Sequence, residues 1–155
     1  MGYVEKNLLP GETVEYNARL HPIIFLQPAF FGTLALALLI YGLASQPPMV
    51  PVWGAGAVLL LYAAGLGVDR VIHYLSSEFA ITNKRVLIKT GFINRHTLEM
   101  LLTKVETIRV SQSIPGRVFN FGTIVVTGTG GTNEPFNAIA NPLEFRRQVQ
   151  ARAAG

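Results

Sequence analysis

The sequence predicts a two-helix transmembrane hairpin followed by a small, basic, mainly β domain. Between residues 22 and 68 the chain contains no Asp, Glu, Lys or Arg. Charged residues make up only 14% of the whole chain, against roughly 25% in soluble globular proteins. Beyond Leu75 the long apolar runs give way to short alternating segments separated by turn residues, which is typical of β-strands.

The uncharged stretch contains two apolar runs, residues 22–43 and 49–68. As helices, at about 1.5 Å per residue, each is about 30 Å long, which matches the hydrocarbon core of a bilayer. A short proline-rich link joins the runs, so together they predict an antiparallel membrane hairpin. A buried helix pair in a soluble protein would need a surrounding shell that the remaining residues are too few to supply. A cleaved signal peptide is a weaker alternative, because the first run lacks a basic leader and a second span follows.

The distribution of Lys and Arg predicts the orientation of the hairpin. The link between the two runs contains no basic residue, whereas the outer ends are flanked by Lys6, Arg19, Arg70, Lys84 and Arg85. Such residues stay on the cytoplasmic side, so both termini should be cytoplasmic. The chain then divides into an N-terminal cytoplasmic segment (1–21), the hairpin (22–68) and a cytoplasmic domain (69–155). The spans contain no acidic, basic or histidine side chain for an ion path, which indicates an anchor.

The distal domain should be an antiparallel β-sandwich or barrel closed by one C-terminal helix. The segments SEFAIT and RVLIKTG flank Asn83-Lys84, which suits a tight turn. Further alternating segments bring the total to five or six strands, and the glycine-rich residues 128–131 suit another hairpin turn. Asn141-Pro142 should begin a helix whose apolar face comprises Leu143, Phe145, Val149 and Ala153. The segment GETVEYNARLH before the first span also alternates, and it could lie at the membrane interface or add a strand.

Residues 111–123 combine apolar side chains, among them Phe119, with the basic Arg117. As an exposed amphipathic loop this segment could enter the headgroup region of the bilayer. As a core insert its aromatic residues would fill the apolar core against the sheet. The core interpretation is favoured, because a small β domain needs such side chains to complete a stable core.

Four segments together resemble a known family. They are LLPGETVEYNARLH, SSEFAITNKRVLIKTGFINR, LLTKVETIRVSQSIPGRVFNFGTIVVTGTGG and the NPLEFRRQVQ helix. Over nearly its whole length the chain resembles the bacterial pleckstrin-homology-like (PH-like) membrane proteins of the YdbS-like kind. The resemblance implies a PH-like fold of two antiparallel sheets and a C-terminal helix, attached to the bacterial cytoplasmic (inner) membrane. PH-like folds in general bind phosphoinositides, peptides or other proteins, and the fold alone does not choose among these ligands.

The supply of catalytic and metal-binding residues is poor. The chain has three His, one Asp and no Cys. His73 lies at the membrane boundary, where an interfacial histidine is more common than a ligand or a base, and His96 has no neighbouring His or Asp at metal-ligand spacing. Residues 128–131 do not open a helix and lack the lysine of a phosphate-binding loop. We therefore expect no enzyme, no catalytic residue, no cofactor and no metal.

The basic residues are the remaining functional signal. Lys84, Arg85 and Lys89 cluster at the first predicted hairpin, where PH-like domains often recognise anionic groups. With Arg117 and Phe119 they form the predicted lipid- or partner-binding set, which Arg95, Lys104 and Arg109 extend. An ordinary solvated surface explains them equally well, because Glu78, Glu99 and Glu106 are interleaved. Nucleic acid is a poorer partner, because the aromatic residues are not spaced for base stacking.

These observations lead to a membrane-anchored, non-enzymatic binding or scaffolding module that docks a protein partner or further copies of itself. A domain already held by two spans gains little from lipid binding, so its exposed edges are available for other ligands. The competing hypothesis is a sensor of anionic lipid headgroups that uses the basic face. A third, weaker one is an enzyme acting on lipids through His73 or His96.

Overall fold

The computed structural model describes residues 3–92, 95–131 and 133–153. The chain separates into two compact units, a helical unit of Pro22–Tyr74 and a β unit that combines Met1–His21 with Leu75–Gly155. The β unit is therefore built from both ends of the chain, and the helical unit is an insertion within it. This connectivity joins residues 1–21 to the distal domain instead of leaving them as a separate segment.

The elements alternate between the units along the chain. A short helix α1 (Tyr3–Lys6) and strand β1 (Val14–Ala18) precede a 3₁₀ turn (Pro22–Phe25) and the two long helices α2 (Leu26–Ala44) and α3 (Val50–Ser76). The strands that follow are β2 (Glu78–Thr82), β3 (Arg85–Thr90), β4 (His96–Leu101), β5 (Val105–Ser111), β6 (Phe121–Gly128) and β7 (Asn133–Ala140). A 3₁₀ turn (Leu102–Lys104) precedes β5, a short helix α4 (Ile114–Val118) precedes β6, and helix α5 (Pro142–Ala153) ends the described chain.

The two long helices of the helical unit pack through small residues. A Cβ atom added to Gly42 would lie 2.6 Å from the backbone nitrogen of Trp53, and one added to Gly56 would lie 2.9 Å from that of Leu39. Among the described residues, the stretches Pro22–Ala44 and Val50–Ser76 are long and apolar enough to cross a membrane. Only 11% of the most apolar window in each is buried within the protein. Most of their apolar surface is therefore open.

Helix α3 extends past the predicted end of the second span, from residue 68 to Ser76. The predicted span ends at residue 68 because the first charged residues, Asp69 and Arg70, end the apolar run there. A helix can continue through them, because its backbone hydrogen bonds do not depend on side-chain polarity. The β unit accordingly resumes at Leu75 and not at Asp69.

The predicted fold class is confirmed: antiparallel strands form two sheets, and a helix follows the last strand. The described residues form one sheet in the order β1-β2-β3-β4 and another in the order β5-β6-β7. The tight turn at Asn83-Lys84 and the glycine-rich turn between β6 and β7 are both confirmed. The alternating segment before the helices adds a strand, because β1 pairs with β2 and Ala18 lies opposite Phe79.

The core of the β unit lies between the two sheets and α5. Phe79 and Phe136 meet edge to face with ring centroids 5.9 Å apart. On α5, Phe145 and Val149 are buried as predicted, whereas Leu143 and Ala153 are exposed. The fully buried apolar side chains include Ile81, Val86, Ile88, Ile124, Val126 and Ile139. Together they form the apolar centre of the β unit.

Strand β3 is buried on both faces, contrary to a simple alternation. Arg85, Val86, Leu87 and Ile88 are all buried. The outer face is covered because Val4 of α1 packs with Leu87 and Ala80, and Leu8 and Val14 lie against this cluster. The N-terminal segment therefore covers the outer face of the first sheet.

Candidate binding surfaces

Arg85, one of the predicted binding residues, lies inside the domain. Its Nε donates to Glu12 Oε1 at 2.9 Å and its Nη1 to Glu99 Oε2 at 2.6 Å. Its Nη2 donates to the carbonyl of Asn7 at 2.6 Å. The Arg85 side chain is 11% exposed and that of Glu12 is 0% exposed. Most of the Arg85 side chain is therefore occupied within the domain, and the structure corrects the prediction that it belongs to an exposed basic binding face.

The ion pair between Glu12 and Arg85 has strong electrostatic consequences. Donation from Arg85 lowers the pKa of Glu12 from 4.5 to about 2, and a hydrogen bond from the Leu9 backbone contributes. The same contact raises the pKa of Arg85. The Thr82 hydroxyl also donates to Glu12, at 2.7 Å. The network links the N-terminal segment to the β2–β3 turn, and its role is to hold the fold.

The other two cations of the first hairpin also have partners within the β unit. Lys84 Nζ donates to the carbonyl of Pro10 at 3.1 Å. Lys89 Nζ lies 3.9 Å from Glu78 Oε1 and 5.4 Å from the centre of the Tyr3 ring. We call Lys84, Arg85 and Lys89 the basic hairpin. Its charges face acidic groups and carbonyls of the same domain, and this reduces its attraction for anions.

Helix α4 and the residue after it form a second, different surface. The exposed fractions of Ile114, Val118 and Phe119 are 81%, 73% and 59%. We call these three residues the apolar tip; Arg117 is exposed among them. The favoured interpretation of residues 111–123 as a core plug is therefore wrong. The core of the second sheet is already filled by Ile124, Val126 and Ile139 together with α5.

The apolar tip is held in a defined shape. The Ser113 hydroxyl accepts from the Gly116 backbone N–H at 3.3 Å, which caps α4. The Gln112 side chain donates to the carbonyls of Gly116 and Phe121 at 3.2 and 3.1 Å. A Cβ on Gly116 would lie 2.6 Å from the Phe121 carbonyl oxygen, so this position requires glycine. The exposed side chains are consequently presented from an ordered turn.

A groove that the sequence did not predict runs between β5 and α5. It has a volume of about 390 Å³ and is lined by Val105, Glu106, Thr107, Ile108, Val149, Gln150 and Ala153. Ile108 and Val149 are buried and form an apolar floor, whereas Glu106, Thr107 and Gln150 are exposed at its rim. No sequence motif marks the groove, because its two walls are separated along the chain and meet only through folding.

Strand β5 is an edge strand of its sheet. Among the described strands it pairs with β6 alone, so one side of its backbone faces outward beside the groove. An outward row of N–H and C=O groups is a template on which another extended chain can pair. The groove and the strand edge thus form a combined surface, which we call the β5–α5 groove.

Within the described residues, no group of three or more His, Cys, Asp or Glu side chains could hold a metal ion. His96, the histidine considered for chemistry in the β unit, is exposed at the start of β4.

Comparison with known proteins gives a family match. The model of the bacterial PH domain family matches residues 24–153, which include both long helices, strands β2 to β7 and all of α5. The matched range does not include β1, although β1 completes the first sheet. No curated protein and no solved structure matches the chain.

Proposed function

The chain belongs to the bacterial PH domain family, and we propose that it is a non-enzymatic binding module, anchored in the cytoplasmic membrane by α2 and α3, that docks a protein partner. A PH domain implies a binding role. The helical unit supports the anchor, and the β unit supports the protein partner.

The composition and exposure of α2 and α3 support the membrane anchor. Both are long enough to cross the hydrocarbon core, and their apolar surface is largely open. Leu61 and Val58, near the middle of α3, are 75% and 69% exposed. Such a surface is unfavourable in water, because apolar area costs about 25 cal/mol per Å² when it is hydrated. The absence of Lys and Arg from the link supports cytoplasmic termini.

The β5–α5 groove carries the proposal of a protein partner. An extended segment could pair with the backbone of β5 while alternate side chains rest on Ile108 and Val149. Backbone pairing supplies affinity for many sequences, and the narrow floor selects small or medium apolar side chains. A second copy of this chain could supply such a segment as well as another protein could, so self-assembly is one form of the same proposal.

The alternative function, a sensor of anionic lipid headgroups, depends on the basic hairpin. Because Arg85 is buried and Lys89 lies near Glu78, Lys84 is its most exposed cation. If this alternative were correct, acetylation of Lys84 in the full-length protein would be slower in vesicles containing phosphatidylglycerol than in phosphatidylcholine alone. Equal rates in the two kinds of vesicle would contradict it.

The groove is tested with a matched pair of tryptophan variants. Ala153→Trp places a large side chain in the groove, whereas Ala151→Trp alters an exposed position of the same helix that does not line it. A photo-crosslinker at Thr107 of the full-length protein is then activated in native membranes. We expect Ala153→Trp to reduce the crosslinked product about tenfold, the effect of losing about 1.4 kcal/mol of binding, and Ala151→Trp to leave it unchanged.

The outcomes of this experiment are distinct. A groove-dependent product containing another protein supports a partner, and one containing two copies of this chain supports self-assembly. If no reproducible product forms and the detergent-solubilised protein is monomeric, the docking proposal is wrong. If both tryptophan variants reduce the product equally, the contact does not use the groove.

A further inference from the structure

The apolar tip brings three exposed apolar side chains of the β unit together within six residues. Ile114 and Val118 are separated by one helical turn and so lie on the same face of α4, and Phe119 follows directly. Their exposed fractions are 81%, 73% and 59%, against 74% for Leu75 and 62% for Phe92 elsewhere in the β unit. Hydrogen bonds from Gln112 and the cap at Ser113 keep this turn ordered. An ordered apolar protrusion indicates an apolar neighbour.

The position of the apolar tip within the β unit identifies that neighbour. The rings of His21 and Phe121 lie 5.1 Å apart, and Phe121 begins the strand that follows the tip. The backbone N–H of His21 donates to Ala138, and the carbonyl of Arg19 accepts from Ala140. The next residue after His21 is Pro22, where the apolar stretch begins. The tip therefore lies at the point of the β unit from which the chain enters its first membrane-spanning stretch.

We propose that the apolar tip inserts into the interfacial region of the bilayer that holds α2 and α3, and so gives the β unit a second attachment to the same lipid surface. This inference rests on the membrane anchor of the proposed function. Its partner is lipid, because the tip combines apolar side chains with the exposed cation of Arg117, which suits the boundary between acyl chains and anionic headgroups. The basic hairpin is not required for this contact.

The second attachment explains why the tip is rigid. A flexible loop would lose conformational entropy on insertion, whereas an ordered turn has already lost it on folding. Two attachments also restrict rotation of the β unit about its short connections to the helices. The β5–α5 groove is then presented to partners in one orientation, which favours association at the membrane surface.

The absence of cysteine from the chain allows a direct test in the full-length protein. Single cysteines are introduced by Ile114→Cys at the tip, Leu61→Cys in α3 and Thr129→Cys at the other end of β6. Each is labelled with an environment-sensitive fluorophore, and the protein is reconstituted in phosphatidylcholine–phosphatidylglycerol vesicles with or without spin-labelled lipid. Over the length of β6 the tip and Thr129 are separated by about 25 Å. Thr129 therefore reports on a part of the domain away from the proposed contact.

We expect spin-labelled lipid to quench the labels at Ile114 and Leu61 but not the one at Thr129. Adding Val118→Asp and Phe119→Asp to the Ile114→Cys protein should abolish quenching at the tip, whereas adding Leu101→Asp should not. The thermal unfolding of each variant is measured as well, because exposed positions should tolerate these changes.

The two proposals fail in different ways. If Leu61 is quenched and Ile114 behaves like Thr129, the apolar tip does not enter lipid, although the anchor stands. If Leu61 is not quenched, the anchor and the tip insertion are both wrong. Quenching at Ile114 that persists in the Val118→Asp, Phe119→Asp protein would also overturn the inference, because the contact would not depend on the tip.

Discussion

At the basic hairpin three cations lie against acidic groups and carbonyls of their own domain, whereas at α4 three apolar side chains remain exposed. The sequence predicts an anion-binding set at the basic hairpin and favours a core position for residues 111–123. A charge can be compensated by a single distant partner, as Glu12 compensates Arg85. An apolar side chain needs a whole surface to cover it. A cluster of charges in the sequence therefore need not form a free surface in the folded domain.

The largest expected effect lies at the basic hairpin. Arg85→Ala should destabilise the β unit by about 3–5 kcal/mol, because it leaves the Glu12 carboxylate buried without its cation. Arg117→Ala is the control, since this exposed arginine should contribute within about 0.5 kcal/mol. Chemical denaturation of the detergent-solubilised protein, followed by a probe in the β unit, measures both. Equal stabilities of the two variants would mean that the Arg85 network does not support the fold.

A second effect concerns acid. The pKa of Glu12 falls from 4.5 to about 2 in the folded protein, because Arg85 hydrogen bonds to its carboxylate. The folded state thus binds the proton less readily than the unfolded state, and the stabilisation is present above pH 4.5 and lost between about pH 4.5 and 2. The loss should approach about 3 kcal/mol over that window. A Glu12→Gln protein should be less stable at neutral pH and should show a smaller acid-dependent loss, as denaturation at several pH values can test.

A smaller effect is expected at the apolar tip. Gly116→Ala places a Cβ 2.6 Å from the Phe121 carbonyl oxygen, so the backbone of α4 must shift, at a cost of about 1–3 kcal/mol. Gly65→Ala is the control, because a Cβ there meets no atom within 4 Å. Thermal unfolding gives the cost, and the quenching of a label at Ile114 reports whether the tip has moved. An unchanged melting temperature together with unchanged quenching would show that the turn tolerates the side chain.

The features that the sequence predicted correctly depend on local patterns. The strands around Asn83-Lys84, the glycine-rich turn and the C-terminal helix each arise from residues close together in the chain. The features that it did not predict depend on distant contacts. Glu12 meets Arg85 although they are 73 residues apart in the chain, with the whole helical unit between them. The two walls of the β5–α5 groove share no sequence motif. The exposure of the apolar side chains at α4 also depends on distant residues, because Ile124, Val126 and Ile139 already fill the core with α5.

These distant contacts also decide which fragment of the chain can be studied alone. A fragment beginning at Leu75 would seem a natural isolated domain, yet it would lack β1, an edge strand of the first sheet, and Glu12. The covering contact of Val4 with Leu87 would be lost as well. Binding experiments on the β unit therefore need the full chain.

The insertion of the helices between β1 and β2 also affects how the protein is made. The ribosome completes β1 before either helix and β2 only after both, yet the two strands are immediate neighbours in the finished sheet. In a membrane-anchored chain they can meet only if the helices enter and return, so that both strand ends are on one side. If only one helix were inserted, β1 and β2 would lie on opposite sides of the bilayer and could not pair. If the helices are the proposed anchor, closure of the first sheet therefore requires that both of them be inserted.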